Sequence, residues 1–432
     1  MPDARRLRDL VITRPGQQTT TRPLAAGFWI VAFALLCVTS LATVPSPLYG
    51  LYQQRDALSL FAITAVYAGY AIGIVVSLFL AGHVSDWYGR KVILLPALAL
   101  AAFSAVIFIL WPSFSGILVA RIVNGVSLGA ALATATAYML ELDAALHPGT
   151  RSGRGLAVST VVNIGGLGFG ALISGLFAQY VAHPLVVPYV VFLVALVLAI
   201  AGVTFSPETR VRAEPLPRYH PQRIEVPDES RAPYLASLLG IGIGVDFAAF
   251  GLFAGLAGTI LVASLHRQSL ALAGVAVFVT FTASVVAQLT LGSWPTRRLA
   301  VCGVAGILVG LAVIVMAVWL PTPNLVLFLV GDGITGAGGG AVFRCTLGVV
   351  TAVAPPAARA EALAGFFLAG YVGLSVPVVG VGIALQYVSV NVTLLVFAAA
   401  VGIGALVVLP ILMRPSNQQP GKRSPTSNSH VP

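Results

Sequence analysis

The chain of 432 residues is 58% hydrophobic and only 9% charged, with a formal net charge of +10. A soluble domain carries about 25% charged residues, so this composition excludes an ordinary soluble protein and indicates a membrane protein. The three cysteines, Cys37, Cys302 and Cys345, all lie in apolar runs, and the six histidines are scattered singly. These spacings argue against a disulfide framework and a metal site, and we expect no cofactor.

The N-terminal segment, residues 1–26, contains five arginines and two acidic residues but no short apolar core followed by a cleavage site. It is therefore predicted to be a cytoplasmic tail rather than a signal peptide. Twelve later segments are each apolar and long enough to cross a bilayer, which takes about 20 residues. Each is predicted to be helical, because lipid offers no hydrogen-bond partner to free backbone groups. These spans are residues 27–49, 60–82, 91–110, 114–140, 154–179, 185–205, 233–263, 269–292, 299–320, 324–350, 361–387 and 391–413.

The positions of Lys and Arg predict the orientation of the spans, since basic residues collect in cytoplasmic connections. With the N-terminus in the cytoplasm, nearly all of the 24 Lys and Arg residues fall on the cytoplasmic side, and only Arg55 and Arg267 fall on the opposite side. Both termini are therefore predicted to be cytoplasmic, in a multi-pass protein of the inner or plasma membrane. This distribution explains the positive charge as an orientation signal, so we expect the lipid bilayer and no nucleic acid as a partner.

One long connection, residues 206–232, divides the spans into two sets of six. It is rich in proline and in charges of both signs and has no apolar face, which predicts a flexible cytoplasmic linker. The predicted domains are therefore an N-terminal six-helix bundle at 27–205 and a C-terminal six-helix bundle at 233–413. The polar tail at 414–432 is expected to be disordered.

Two short patterns repeat between these halves. The fourth span has an ionisable residue followed by glycines four and eight positions later, and the tenth span repeats this pattern at an offset of 211 positions: Arg121, Gly125 and Gly129 match Asp332, Gly336 and Gly340. Gly82 and Asp86, after the second span, match Gly292 and Thr296 at an offset of 210. Such internal symmetry is typical of secondary transporters, which bind substrate between two repeats. The predicted fold class is an all-α membrane protein with 12 transmembrane helices in two pseudo-symmetric six-helix bundles.

The connection between the second and third spans, residues 82–91, reads GHVSDWYGRK. This loop resembles the signature loop of the major facilitator superfamily, usually written G-x-x-x-D-R/K-x-G-R/K-R/K, through Gly82, Asp86, Gly89, Arg90 and Lys91. It departs from that pattern at Trp87, where a basic residue is usual. With the twelve spans and the six-plus-six division, the resemblance covers essentially the whole chain and implies the major facilitator fold.

The resemblance implies a conformational latch on the cytoplasmic side. Gly82 and Gly89 would allow a tight turn that ends the helix. In the family, the carboxylate that corresponds to Asp86 lies near the start of the eleventh helix when the cytoplasmic side is closed. Here that position is around Glu361, where the helix dipole favours an anion.

The resemblance also implies that Arg90 pairs with an acid at the end of the fourth span, here Glu141 or Asp143. This set would stabilise the outward-open state and separate as the two halves rock. The alternative is that Arg90 and Lys91 only mark the cytoplasmic side of the membrane.

Three ionisable residues lie deep within predicted spans, where an ionised side chain costs about 2.5–3.5 kcal/mol and needs a partner, a cavity or a function. Asp246, in the glycine-rich stretch GIGIGVDFAAFGLFAG, is either a proton carrier or a structural aspartate bonded to a neighbouring helix. Arg121 resembles the arginine of an R-x-x-x-G pattern of proton-coupled family members, which implies that it tunes an acid or contacts an anionic substrate. Asp332 lies at the equivalent depth, so a coupling role and a salt bridge between Arg121 and Asp332 both stay open.

The fifth span is similar to the glycine motif of drug-exporting members through Gly166, Gly170 and Gly175, although Ala171 replaces the usual proline. This resemblance favours export, and the alternative is that the small residues only allow close helix packing. Three further polar residues are either pocket liners or ordinary interhelical hydrogen-bond partners: Asn124, Asn163 and Gln288.

The function favoured by these observations is secondary active transport by alternating access. We predict a proton-coupled antiporter that exports a small amphipathic or drug-like molecule, and the alternative is a proton symporter that imports a small metabolite such as an organic acid or sugar. No ATP-binding loop of the G-x-x-x-x-G-K-S/T type occurs, so the energy must come from an ion gradient. The sequence shows no cluster of acid, base and nucleophile of the kind that would indicate an enzyme. The expected partners are a small-molecule substrate and protons, and the chain is expected to be a monomer.

Overall fold

The computed structural model describes residues 21–81, 84–149, 153–210, 231–240, 246–354 and 359–413, and every regular element in these ranges is a helix. The N-terminal half contains α1 (Thr21–Thr43), α2 (Tyr49–Asp56), α3 (Leu60–Ala81), α4 (Ser85–Tyr88), α5 (Arg90–Leu110), α6 (Phe114–Leu146), α7 (Arg154–Thr160), α8 (Gly166–Tyr180) and α9 (Val187–Phe205). The C-terminal half contains α10 (Arg231–Leu239), α11 (Asp246–Ala263), α12 (Leu270–Thr290), α13 (Thr296–Trp319), α14 (Leu325–Val353), α15 (Arg359–Ala384) and α16 (Val390–Leu412).

Eleven helices in the described part of the chain are long and apolar enough to cross a membrane. A shorter apolar helix covers Phe247–Ala263. The seventh predicted span, 233–263, therefore corresponds to α10 and α11 on either side of residues 241–245, which lie outside the described residues. The prediction of an all-helical membrane protein is confirmed.

The internal repeat seen in the sequence is also a repeat of contacts between helices. A Cβ atom added to Gly125 of α6 would collide with the carbonyl oxygen of Tyr70 in α3. In the other half, a Cβ atom on Gly336 of α14 would collide with the carbonyl oxygen of Thr280 in α12. Tyr70 and Thr280 are separated by the same offset of 210 positions as the repeated loop glycines. The two halves therefore use equivalent glycines to bring equivalent helices together, as expected of close packing between membrane helices.

The two halves meet where α8 packs along α12 and α3 packs along α15. A Cβ atom on Gly175 would lie 2.5 Å from the carbonyl oxygen of Leu270 and 3.2 Å from the Cα of Gly274. Gly382, close to the end of α15, lies against the side chain of Thr64 in the second turn of α3. Both contacts lie at the end of the bundle where α1 ends and α3 begins, which we call the far side. The halves are thus closed against each other on the far side.

Large apolar side chains also cover the outside of the bundle. Leu198, Phe205 and Val396 are 62%, 88% and 62% exposed. In water, apolar surface that stays exposed lacks the stabilisation of about 25 cal/mol per Å² that burial provides. The hydrocarbon of a bilayer, by contrast, is an apolar solvent for these groups. The outer surface therefore suits a protein that crosses a membrane several times.

Candidate functional site

A cavity of about 680 Å³ lies between the two halves. From the N-terminal half it is lined by Ala42, Thr43, Tyr67, Tyr70, Leu132, Asn163, Ile164 and Leu167. From the C-terminal half it is lined by Phe247, Phe250, Ala254, Phe281, Phe343, Phe367, Tyr371 and Leu374. This volume includes space open to solvent, and the walls are mainly apolar and aromatic with a few polar groups, as is typical of small-molecule sites. Its walls come from both halves, so any relative movement of the halves changes its shape.

Half of the lining residues are aromatic, and most of these belong to the C-terminal half. The rings of Phe250 and Phe281 lie 5.1 Å apart, and the rings of Phe247 and Tyr371 meet edge to face at 5.6 Å. The second pair has the preferred edge-to-face geometry of aromatic contacts, whereas the planes of Phe250 and Phe281 are tilted by 38°. Among the described lining residues none is charged, so this surface suits a molecule with an apolar, aromatic body.

Asn163, one of the predicted pocket liners, is placed in the cavity wall by an irregular turn. Residues Val161–Gly165 form a π-helical turn between α7 and α8, a feature that often occurs at functional sites. Hydroxyl groups of α1 bond to carbonyls of this region, because Thr39 Oγ1 donates to Val162 O at 2.9 Å and Thr43 Oγ1 donates to Leu167 O at 2.5 Å. These bonds fix the irregular turn beside the cavity.

Arg121 lies one layer behind the cavity wall in the N-terminal half. Its side chain is fully buried, and Nη1 donates a hydrogen bond to the carbonyl oxygen of Ala42 at 2.5 Å. The guanidinium carbon lies 4.7 Å from the ring centre of Tyr70 and 5.4 Å from that of Tyr67, which are distances of cation–π contacts. Its Nε and Nη2 atoms have no hydrogen-bond partner among the described residues. Tyr67 and Tyr70 therefore separate a partly unpaired buried cation from the cavity.

Asp332 occupies the equivalent place in the C-terminal half. Its carboxylate is fully buried and Oδ1 accepts a hydrogen bond from Thr280 Oγ1 at 2.5 Å, whereas Oδ2 has no partner in the described part of the chain. Thr280 directly precedes Phe281, which lines the cavity. The suggested salt bridge between Arg121 and Asp332 is wrong, because each side chain bonds to a neighbour in its own half.

The other two polar candidates lie outside the cavity wall. Asn124 is fully buried one turn after Arg121, and neither atom of its amide has a partner among the residues described. Gln288 donates to Ser284 Oγ at 3.2 Å within α12, an ordinary helical contact. Asn124 is therefore the more unusual of the two.

Several predicted site residues fall where the structure gives no side-chain description. Gly82 lies outside the described residues. Asp86, Asp246 and Glu361 lie in described helices, but their side chains are outside the described part. The predicted contact between Asp86 and the start of the eleventh helix, and the proton-carrier role of Asp246, therefore stay predictions.

Arg90 forms a charged network on the side of the bundle opposite the far side. Its guanidinium donates to both carboxylate oxygens of Glu141, with Nη2–Oε1 and Nε–Oε2 distances of 2.8 and 3.2 Å. A further bond runs from Arg90 Nη1 to Ser85 Oγ at 2.7 Å. Asp143 instead accepts a bond from the backbone amide of Gly155 at 3.0 Å. Of the two acids that the sequence suggested, the structure pairs Arg90 with Glu141.

The turn before Arg90 requires a glycine. Gly89 has a φ of +109°, a conformation that side chains with a Cβ rarely adopt. This turn redirects the chain from α4 into α5 and places Arg90 at the first position of the helix. The loop glycine is thus explained by its backbone conformation.

Residues at the start of the predicted linker join this network, which the sequence analysis missed. Glu208 accepts hydrogen bonds from the backbone amides of Arg90 and Lys91 at 3.0 and 2.9 Å, so a carboxylate caps the start of α5. Thr209 Oγ1 donates to Glu141 at 2.6 Å, and Arg210 Nε donates to the same carboxylate at 3.1 Å. The sequence signal that could have identified Glu208 was its position, as an acidic residue shortly after the last apolar span of the first half.

The predicted glycine motif of the fifth span serves two kinds of packing. Gly166 and Gly170 lie against Thr39 and Ser40 of α1, within the N-terminal half. Gly175 instead lies against α12 of the other half. Close packing therefore accounts for the positions of all three glycines.

The comparisons with known families and curated proteins agree with this architecture. The model of the family described as Major Facilitator Superfamily matches residues 28–246. A segment of 153 residues is 33% identical to the "Inner membrane transport protein YnfM" of Escherichia coli strain K12, and one of 199 residues is 29% identical to an uncharacterized transporter of Buchnera aphidicola subsp. Baizongia pistaciae. These segments cover 35% and 46% of this chain and only 34% and 46% of the two relatives.

Solved transporter structures share the fold over nearly the whole chain. The nucleoside transporter NupG, solved as a mutant, superimposes with a TM-score of 0.70 at 14% identity, covering 90% of this chain and 99% of that one. The human organic anion transporter MFSD10 gives 0.63 at 16% identity, covering 91% and 100%. A peptide transporter, POT, in complex with alafosfalin gives 0.68 at 14% identity, covering 90% and 93%. At these identities the likeness concerns the fold alone, and it confirms the predicted fold class.

Proposed function

The chain belongs to the Major Facilitator Superfamily and is a membrane transporter rather than an enzyme, and from this premise we propose that it is a proton-coupled antiporter that exports a small amphipathic molecule by alternating access. In this proposal the protein lies in the inner or plasma membrane with both termini in the cytoplasm. The far side of the bundle then faces outward. The distribution of Lys and Arg supports this orientation.

The observation that carries the proposal is the cavity between the halves. Secondary transporters bind their cargo near the middle of the membrane, between repeats that move against each other. Here eight lining residues come from each half, and the halves are closed against each other at Gly175 and Gly274 on the far side. A cargo in this cavity would be shielded from the outer face until the contact between α8 and α12 opens.

Asp332 supports proton coupling. An ionisable group inside a membrane needs a partner, a cavity or a function, and Asp332 bonds to Thr280 but to no basic side chain among the described residues, which favours a coupling role. Thr280 holds one oxygen of Asp332 and adjoins the cavity residue Phe281. Cargo binding against Phe281 can therefore disturb the hydrogen bond that holds Asp332. Asp246, one residue before Phe247 of the cavity wall, is a second candidate carrier.

The cargo class is inferred from the lining of the cavity. The structural neighbours are named as transporters of nucleosides, peptides and organic anions, which are chemically diverse cargoes. The aromatic rings of α11, α12, α14 and α15 support a molecule with an apolar, flat body. Export as the direction rests on the sequence resemblance of Gly166, Gly170 and Gly175 to the motif of drug exporters, since the packing contacts of these glycines favour neither direction.

The experiment uses inverted membrane vesicles with an acid interior. A panel of aromatic cations, neutral drugs and aromatic carboxylates is added, and proton efflux is followed with a pH-sensitive dye. We expect at least one compound to collapse the gradient with the wild-type protein and to have little effect with Asp332→Asn or Asp246→Asn. Asp56→Asn is the matched control, because Asp56 is paired with Arg55 at a partly exposed position away from the cavity. If no compound collapses the gradient while labelled metabolites accumulate in whole cells, the protein is a symporter and the proposed direction is wrong.

A further inference from the structure

The cavity wall carries polar side chains that have no partner in the wall itself. Thr43 is the exception, because its hydroxyl donates to a carbonyl of α8 at 2.5 Å. The other four make no hydrogen bond to any residue that the structure describes: the amide of Asn163 and the hydroxyls of Tyr67, Tyr70 and Tyr371. Polar groups in a protein interior are almost always paired, so this set indicates hydrogen bonds to a ligand or to water.

Asn163 offers a hydrogen-bond donor and an acceptor side by side. The residue is half-buried, and its amide is not sealed inside the protein, in contrast to the amide of Asn124. The amide oxygen accepts hydrogen bonds and the amide nitrogen donates them, so a planar group with adjacent N–H and C=O can pair with both. The π-helical turn, held by the bond from Thr39 to Val162 O, fixes the backbone that presents this amide.

An ion would bind poorly among these groups. None of the described lining residues is charged, and a charge that leaves water without gaining a partner is costly. The guanidinium of Arg121 already lies behind the rings of Tyr67 and Tyr70, so a cation that meets those rings from the cavity is repelled. The same rings keep the fully buried Arg121 from direct contact with an anion in the cavity. The cavity therefore favours an uncharged cargo.

A pair of aromatic rings lies in the same cavity as this amide. Phe281 lies against the helix that follows the π-helical turn, since a Cβ atom added to Gly168 would be 3.2 Å from the Cβ of Phe281. The ring of Phe250 lies 5.1 Å from that of Phe281. An aromatic cargo gains stabilisation from contact with such rings beyond the area that it buries. Asn163, Phe250 and Phe281 all line the cavity, so one flat molecule can meet the rings with its face and the amide with its edge.

We propose that the cargo is an uncharged planar heterocycle with a lactam edge, that is, with adjacent N–H and C=O groups, and that Asn163 selects it. The oxygen of the Asn163 amide accepts a hydrogen bond from the lactam N–H, and its nitrogen donates one to the lactam carbonyl. The heterocycle packs against Phe250 and Phe281. This inference rests on the proposed function, since it takes the cavity between the halves to be the cargo site and narrows the class of cargo.

The test is equilibrium binding to the purified full-length protein in lipid nanodiscs at pH 7, without any gradient. The probes 2-quinolone and coumarin have the same bicyclic shape, but coumarin has a ring oxygen in place of the lactam N–H. The loss of this donor leaves the oxygen of Asn163 unpaired, so coumarin should bind about tenfold more weakly. Two charged bicyclic probes, 2-naphthoate and N-methylquinolinium, should also bind more weakly than 2-quinolone.

Asn163→Leu removes the amide and keeps a similar volume. This variant should bind 2-quinolone no more tightly than coumarin, whereas its affinity for coumarin should stay within about twofold of the wild type, since coumarin gains little from the amide. The matched control is Gln288→Leu, because the Gln288 amide bonds to Ser284 within α12 and lies outside the cavity wall. The control should retain the full preference for 2-quinolone. If Asn163→Leu does not fold, Asn163→Ser replaces it, since serine is too short to pair with both groups of the lactam.

The proposed selection by Asn163 is overturned if the wild type binds 2-quinolone and coumarin equally or binds neither, or if a charged probe binds more tightly than 2-quinolone. A preference for 2-quinolone that survives in Asn163→Leu or Asn163→Ser would overturn it as well. None of these results depends on proton flux. If 2-quinolone binding requires Asn163 but no compound drives protons across vesicles, the selection stands and the coupling proposal falls. If charged compounds drive protons while 2-quinolone has no advantage, transport stands and the selection falls.

Discussion

Gly336 lies so close to Thr280 that a Cβ atom on the glycine would collide with the carbonyl oxygen of the threonine. Gly125 and Tyr70 have the same relationship in the other half of the chain. Thr280 and Tyr70 also contact the two buried charged residues: Thr280 donates to Asp332, and the Tyr70 ring covers Arg121. The repeated helix contact thus positions one acidic and one basic side chain at equivalent depths behind a shared cavity.

The glycine contacts predict a loss of stability when a methyl group is added. We expect Gly336→Ala and Gly125→Ala each to lower the free energy of unfolding by about 1–3 kcal/mol, because backbone atoms must move to make room. Thermal unfolding in detergent measures the effect. Gly348→Ala is the control on the same helix as Gly336, since a Cβ atom there meets nothing within 4 Å and alanine favours helix. Equal melting temperatures for Gly336→Ala and Gly348→Ala would contradict the close contact.

The ion pair between Arg90 and Glu141 predicts a measurable coupling energy. Arg90 is almost fully buried and shares two hydrogen bonds with Glu141, so a double-mutant cycle of Arg90→Gln and Glu141→Gln should give about 1–3 kcal/mol. The cycle of Arg55→Gln and Asp56→Gln serves as the control. That pair is more exposed, and such surface pairs contribute at most about 1 kcal/mol. A coupling energy no larger than the control's would rule out a tightly held network.

Glu208 predicts an effect of the linker on the first half. Its carboxylate caps α5 through the amides of Arg90 and Lys91, so Glu208→Ala should cost about 0.5–2 kcal/mol and speed protease cleavage after Arg210. Limited trypsin digestion followed by mass spectrometry measures the cleavage. Thr204→Val is a suitable control, because the Thr204 hydroxyl bonds only to Ile200 O in its own helix. If trypsin cuts both variants at the wild-type rate, the cap formed by Glu208 has no effect on the linker.

The sequence was sufficient for the features that depend on composition and spacing. Apolar runs identified the spans, and the offset between Gly125 and Gly336 identified the repeat that the structure shows as equivalent contacts. The pairing of Arg90 with one of two nearby acids was also accessible, since the family motif limits the choice. These features are either local or repeated within the chain.

The sequence was not sufficient for features that depend on how helices rotate against each other. Phe250 and Phe281 belong to different helices, and only the packed bundle brings their rings to 5.1 Å. The prediction of a salt bridge between Arg121 and Asp332 was wrong for the same reason. Equal depth in the membrane does not place two side chains together when each faces a partner in its own half.

The central claim is that the halves alternate around the cavity, and cross-linking of the far side tests it most directly. A Cβ atom at position 382 would lie 2.9 Å from Thr64 Cβ, below the range of about 3.5–4.5 Å in a disulfide, so the two helices must move slightly apart for the bond to form. Thr64→Cys and Gly382→Cys are combined in a background without Cys37, Cys302 and Cys345, and uptake of a transported compound is measured after reconstitution. Oxidation should stop transport, reduction should restore it, and each single-cysteine variant should be unaffected by oxidation. Transport at the full rate with the cross-link formed would contradict alternating access.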